Sequence, residues 1–266
     1  MDIVRIEDPA DPRVAPYLAI RERDLAGRHG RFIAEGKVVL NVLFSARRFE
    51  AESLLVLENC LAGLAETLKH APQAMPVYVA SSTVMDAIAG FHIHRGVLAV
   101  GRKREPDSAS TILDALPERA LVVVLVGISN HDNMGAIFRN AAAFGADAVL
   151  LDATCCDPLY RKAIRVSVGA ALKVPFAVVR DGGELADMLG TQGFDQIALS
   201  PNGALDIRDA KPAGRTALYL GTEGEGLPDE LLARLKTVKI GMSGGFDSLN
   251  VAAALAIALH HFSKAG

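Results

Sequence analysis

From about residue 120 onward the chain alternates short apolar, β-branched runs with amphipathic stretches, and that rhythm leaves few folds open. Residues 121–126 form a continuous apolar run of the sort found in a strand covered on both faces. The same reading predicts strands at 148–151, 176–179, 196–199, 216–220 and 238–240. Between them it predicts helices at 134–144, 158–167, 183–192, 229–235 and 249–262, the first closed by Gly145. Strand followed by helix, repeated this often, describes an α/β fold with a largely parallel sheet and helices on both sides.

A second, smaller α/β pattern precedes it. Helical stretches are predicted at 16–23, 37–45, 60–70 and 82–89, with strands at 54–57, 77–79 and 96–100. The polar segment 101–111, punctuated by Pro106, reads as a linker. The expected organisation is therefore a small α/β domain at 1–104 and a larger one at 105–266, and 266 residues suffice for both cores.

Bulk properties exclude several classes. With 50% hydrophobic and 22% charged residues the chain reads as soluble and globular. Its first residues mix charges before any apolar run, unlike a secretory signal. No run reaches the roughly 18 apolar residues of a membrane span, so a cytoplasmic protein with no membrane partner is expected. Three cysteines, with Cys155 and Cys156 adjacent, make neither a disulfide framework nor a Cys-x-x-Cys pair. Seven histidines, among them His29, His92, His94, His260 and His261, lack metal-ligand spacing, so no metal is expected.

The formal net charge of -3 argues against a generally basic nucleic-acid binder. Residues 1–106 carry 14 Lys and Arg against 13 Asp and Glu, and residues 107–266 carry 14 against 18. Arg21, Arg23, Arg28, Arg31 and Lys37 nevertheless fall close together, opposed only by Glu22, Asp24 and Glu35. Such a cluster serves either as a phosphate-binding patch or as a solvated helix face.

Three segments carry the residue types that chemistry needs. In the predicted helix 134–144, at about 100° per residue, Ile137, Ala141 and Phe144 share one face while Arg139 points away from it. Gly221-Thr-Glu-Gly-Glu-Gly226 follows an apolar strand, where glycines permit close approach of backbone to a ligand. Glu223 and Glu225 would repel phosphate and no P-loop lysine is present, so a ligand that tolerates nearby negative charge is expected. The third segment, Ile240-Gly-Met-Ser-Gly-Gly-Phe-Asp-Ser-Leu-Asn-Val251, runs through glycines into an apolar helix that Ser248 or Asn250 can cap.

Taken in order, Asn133-Met-Gly-Ala-Ile-Phe-Arg-Asn140, Leu218-Tyr-Leu-Gly-Thr-Glu-Gly-Glu-Gly-Leu-Pro228 and the third segment resemble the three motifs of the SpoU family of RNA 2′-O-ribose methyltransferases, in the SPOUT superfamily. Lys162, Arg165, Ser167 and Gly169-Ala170 resemble a further family pattern, and residues 31–37 and 94–100 resemble the ends of a small RNA-binding domain that precedes many SpoU catalytic domains. The resemblance implies a trefoil-knotted parallel-sheet domain, a homodimer built around its pocket, S-adenosylmethionine as cofactor, and ribosomal or transfer RNA as substrate. It assigns catalysis to Arg139, Asn133, Glu223, Ser248 and Asn250, with Glu223 orienting Arg139 or the cofactor. Cofactor contacts fall to Leu199, Leu220, Gly221, Thr222, Glu223, Gly224, Ile240, Met242, Ser248 and Leu249. RNA contacts fall to Arg21, Arg23, Arg28, Arg31, Lys37 and Arg165. Arg139 serves either as the base for the 2′-hydroxyl or as a clamp on the neighbouring phosphate and developing alkoxide. One departure stands out: Gly241 occupies a position where the family often has proline. Two other readings compete, a catalytically inactive RNA-binding or assembly protein and a nucleotide-binding dehydrogenase. The latter lacks a G-x-G-x-x-G turn after the first strand of its domain.

Overall fold

In a computed structural model, which describes residues 2–18, 30–104, 107–244 and 248–263, the chain divides into two units. The first comprises Met1–Glu105 together with Asp157–Lys173, and the second Pro106–Cys156 together with Val174–Gly266.

The first unit is built on five strands, β1 (Ile3–Ile6), β2 (Arg31–Glu35), β3 (Glu50–Leu57), β4 (Val77–Ala80) and β5 (Val97–Arg102), in the order β1-β4-β3-β5-β2. β4 runs parallel to β1 and β3, and β5 runs antiparallel to β3 and β2. Ile33, Leu55, Leu98 and Val100 from the strands pack with Val14, Tyr17, Met85 and Ile88 into one core. Tyr17 is fully buried and its hydroxyl meets Ser53 Oγ at 2.8 Å, which removes the cost of an unpaired polar tip. Helix Lys37–Ala46 follows the predicted span closely, as does Ser82–Ala89, whose ends are closed by the Ser81 side chain and by Gly90 in the left-handed region. The single helix predicted at 60–70 is instead three short turns, Glu58–Leu61, Ala62–Leu64 and Ala65–Leu68, interrupted around Gly63. Where 16–23 was predicted, the 3-10 helix Pro12–Tyr17 ends at Leu18, which is extended, and 19–23 lie outside the described residues.

Segment Asp157–Lys173 belongs to the first unit through its side chains. Arg161 Nη1 donates to Glu35 Oε2 at 2.7 Å in a largely buried pair, and the guanidinium lies 5.0 Å over the Phe91 ring. Lys103 Nζ pairs with Asp157 at 2.7 Å, and Gly169 lies so near Val42 that a Cβ there would meet it at 3.1 Å. The second unit therefore differs from the expected domain 105–266 by this strap. It contains the helix Arg161–Val166, shorter than the predicted 158–167, and Arg165 with it.

The second unit carries β6 (Ala120–Leu125), β7 (Ala148–Asp152), β8 (Phe176–Val179), β9 (Asp195–Leu199), β10 (Leu205–Asp206), β11 (Arg215–Leu220) and β12 (Lys236–Lys239), in the order β10-β12-β9-β11-β6-β7-β8. Every pairing is parallel. β6 is buried along its whole length, as its unbroken apolar sequence requires. Helix His131–Ala143 begins three residues before the predicted start because the Asn130 side chain accepts from the backbone N–H groups of Asp132 and Asn133. The last helix begins at Val251 rather than 249 for the same reason, with Asn250 accepting from Ala252 and Ala253.

The strap changes the charge balance. Counted over the two units, the first holds 18 Lys and Arg against 14 Asp and Glu, and the second 10 against 17. Among the described residues no helix is long and apolar enough to cross a membrane, and no group of three or more His, Cys, Asp or Glu is placed to hold a metal ion.

Candidate active site

The loops after β9, β11 and β12 and the entrance to the last helix enclose a cavity of about 800 Å³ in the second unit. It lies at the carboxyl ends of those strands, the edge at which open parallel sheets collect ligands. The loop after β11 closes on itself: Thr222 and Gly226 exchange backbone hydrogen bonds of 3.1 Å in both directions. A Cβ at Gly221 would fall 2.2 Å from the Gly226 carbonyl, so only glycine permits that closure.

All ten residues predicted to contact a cofactor line this cavity. Leu199, Leu220, Ile240, Leu249 and Val251 give it apolar wall, while Glu223, Glu225 and Asp229 are the charged residues among the described lining and no cation joins them. Sequence reasoning missed Ser200, Pro201 and Asn202 on the β9 side. The Ser-Pro-Asn-Gly run after an apolar strand was the signal for a turn there.

Three predicted catalytic residues meet in one triangle. Asn133 Nδ2 donates to Glu223 Oε1 at 2.7 Å, and Asn250 Nδ2 donates to Asn133 Oδ1 at 2.9 Å and to Glu223 Oε1 at 3.1 Å. Asn250 Oδ1 is meanwhile occupied by the helix cap, so one amide joins the cap, the first motif and the second. Ser248 lines the cavity. Arg139 does not: it is exposed, outside the cavity lining, and makes no ion pair or side-chain hydrogen bond among the described residues. Among the described residues Glu223 thus holds two asparagines and not Arg139, contrary to the first of the two roles expected for it, because the helical turn that buries Asn133 leaves Arg139 on the solvent side. The place of Glu223 in the cavity lining leaves the second role, toward the cofactor, open to it. Asn140, beside it, donates to the Ala252 carbonyl at 2.8 Å and fixes helix His131–Ala143 against the last helix.

The entrance to helix His131–Ala143 is anchored from below. Buried Asp152 accepts from the backbone N–H groups of Gly127, Thr154 and Cys155 at 3.1 to 3.2 Å. Cys155 Sγ accepts from the Ile128 N–H at 3.3 Å, and burial pushes its thiol up to about 12. At the third motif, Gly241 is exposed, and a Cβ there would lie 3.2 Å from Asp206 Oδ2. The Arg208 guanidinium beside Asp206 holds that carboxyl far below its usual range.

Of the predicted RNA contacts, the described Arg31 and Lys37 sit at opposite ends of β2. Arg31 Nε donates to Glu52 at 2.6 Å, whereas Lys37 Nζ, past the other end of β2, donates to the Gly63 carbonyl at 2.8 Å. Arg165 sits half-buried on the strap, and Arg21, Arg23 and Arg28 lie outside the described residues.

A fully parallel sheet with a pocket at its carboxyl edge, walled by glycine-bearing loops and carboxylates, defines an α/β ligand-binding enzyme scaffold. A model of the SpoU rRNA methylase family matches residues 120–260, and the chain belongs to that family. Over its full length the chain is 40% identical to an uncharacterized tRNA/rRNA methyltransferase of Mycobacterium tuberculosis, Rv0881, covering 93% of that protein. It is 28% identical to the 23S rRNA (guanosine-2′-O-)-methyltransferase RlmB of Salmonella typhi over 70% of this chain and 78% of the relative. In structure it resembles an rRNA methyltransferase from Sinorhizobium meliloti solved with S-adenosylmethionine bound, with a TM-score of 0.83 at 21% identity over 97% of each chain.

Proposed function

We propose that the protein transfers the methyl group of S-adenosylmethionine to a ribose 2′-hydroxyl of ribosomal or transfer RNA. The observation that carries this reading is the cavity, where all ten expected cofactor residues converge beside the Asn133, Glu223 and Asn250 triangle. Its chemistry fits the cofactor: apolar wall for an adenine, backbone groups of a glycine loop for its edges, and carboxylates without cations for a sulfonium. A phosphate-bearing dinucleotide would face three carboxylates instead. The RlmB likeness supports the ribose over a base as the methyl acceptor.

Bound in that cavity, S-adenosylmethionine supplies an electrophilic methyl group. The residues of this chain do the rest by positioning, a contribution worth roughly 7 to 11 kcal/mol when geometry is ideal. Asn133 and Asn250 hold the Glu223 carboxylate at the cavity wall, and Ser248 faces the acceptor ribose. Arg139 takes the hydroxyl proton or clamps the adjoining phosphate and stabilises the alkoxide. The second unit is trefoil-knotted and pairs as a homodimer about this pocket, while the first unit captures the RNA. The protein works in the cytoplasm.

Tritium transfer from labelled S-adenosylmethionine to bulk RNA tests the activity, and resistance of the labelled linkage to alkaline cleavage tests the position, because a 2′-O-methyl group removes the attacking hydroxyl. Label recovered on a base would overturn the ribose assignment. One observation favours a second reading, a catalytically inactive RNA-binding or ribosome-assembly protein: Arg139 stands outside the cavity wall. Retained RNA binding with no transfer would select it.

A further inference from the structure

The first unit gathers guanidinium groups that the sequence scatters over more than seventy positions. In the sheet register Arg31 of β2 faces Arg102 of β5, and Arg102 faces Glu50 at the start of β3. Arg47, Arg48 and Phe49, which lead into β3, and Lys103 and Arg104, which follow β5, therefore emerge at the same end of the sheet. The backbone closes this end as well, since the Lys103 N–H donates to the Gly30 carbonyl at 2.7 Å.

Two details organise the cluster. Glu52 receives Arg31 on one carboxylate oxygen and Arg102 on the other, which holds two guanidinium groups side by side. Arg48 lies 5.3 Å over the Phe49 ring, and that ring packs edge-on against Phe32 at 5.2 Å. Arg47 and Arg104 are exposed. Set against Glu50, Glu52 and Asp157, the six basic residues leave an excess of three cations, most of the excess of four carried by the whole unit.

Resting on the RNA methyltransferase reading, we propose that this sheet end docks the phosphate backbone of an RNA strand, with Arg31, Arg47, Arg48, Arg102 and Arg104 as its contacts. Guanidinium forks held in pairs match phosphate oxygens, and a stacked Arg48 and Phe49 offer a flat face to a base. Lys37 is not part of the surface, because its ammonium is engaged at the far end of β2.

The test is the salt dependence of binding to a short fluorescein-labelled RNA of mixed sequence, followed by anisotropy with the full chain. Each phosphate contact on a single strand contributes about 0.7 to the slope of log K against log salt. The double variant Arg102→Gln, Arg104→Gln is expected to flatten that slope by about 1.4, which amounts to about a sevenfold difference over a fourfold rise in salt. Lys37→Gln should leave the slope unchanged, and S-adenosylmethionine affinity by calorimetry should be unchanged in both. An unaltered slope in the double variant, or an equal change in Lys37→Gln, overturns the surface. Displacement of the labelled RNA by polyglutamate as readily as by unlabelled RNA overturns RNA in favour of an acidic protein partner. Failure of methyl transfer with the slope behaving as expected would strike the enzymatic reading and spare the docking surface.

Discussion

Both units are α/β, yet they carry charge in opposite ways. The first has a mixed sheet, an excess of four cations and arginines displayed at one sheet end; the second has a parallel sheet, an excess of seven carboxylates and a cavity whose charged lining is acidic. A linear cut at the linker hides most of this, because Arg161, Lys162, Arg165 and Lys173 travel with the first unit although they fall late in the sequence. Under the proposed function, the difference means that a polyanion and a cationic cofactor would each meet the potential that attracts it and need not compete for one surface.

Breaking the strap is the most severe way to challenge that division. Arg161→Met leaves the buried Glu35 carboxylate without its partner, and loss of one member of such a pair costs about 3 kcal/mol. The chain has no tryptophan and four tyrosines, of which Tyr17, Tyr78 and Tyr160 lie in the first unit. Urea unfolding followed by tyrosine emission should therefore shift to lower denaturant, while calorimetric binding of S-adenosylmethionine persists. Simultaneous loss of cofactor binding would show that the strap serves the second unit instead.

Chemistry in the acidic unit is challenged by Arg139→Lys, which keeps the charge and removes the planar fork. A drop in kcat of about a hundredfold, the effect of losing one oriented donor to a developing oxyanion, is expected with cofactor affinity intact. Near-normal turnover would remove Arg139 from the reaction. A smaller effect attends Glu223→Gln, expected to weaken S-adenosylmethionine binding about tenfold, as loss of one charge-assisted contact does. Glu118→Gln, exposed in the same unit and outside the cavity, should bind normally. Equal weakening in both would mean that bulk charge, and not the wall, selects the cation.

The sequence made the second unit far more legible than the first. Residues 121–126 announce a strand covered on both faces by composition alone, 148–151 form a second strand that is buried throughout, and the late glycine loops announce the cavity. β1 was not foreseen because it pairs on one side only, and Arg5 interrupts its apolar pattern. β10, two residues long, is below what periodicity can detect. The strap was legible as a helix but not in its allegiance. Nothing near Arg161 in sequence indicates Glu35 as its partner, since that pairing is decided 126 positions away. Arg31 and Lys37 looked like neighbours for the converse reason: a strand separates residues that sequence counts as close, here by about 20 Å over six positions.

The least disruptive probe concerns Cys155, two residues before the chain enters the strap. Its thiol, pushed up to about 12 chiefly by burial, is held neutral in the folded state, whereas an unfolded cysteine ionises near 8.5. The neutral thiol thus favours folding fully below the unfolded value, and this contribution fades as pH rises from there through the folded one. At pH 8 Cys155 is therefore overwhelmingly the neutral thiol, whereas about a quarter of free cysteines are thiolate. Alkylation by iodoacetamide, followed by mass spectrometry, should therefore label Cys155 at least about a hundredfold more slowly than a free cysteine, rising with pH and leaving activity untouched at short times. Labelling at the free rate would mean that the loop carrying Asp152 and Cys155 opens readily in solution. Gly127 would then lose its cap, Asn133 would no longer be fixed against Glu223, and the contrast between a pre-formed acidic pocket and a separate basic surface would have to be abandoned.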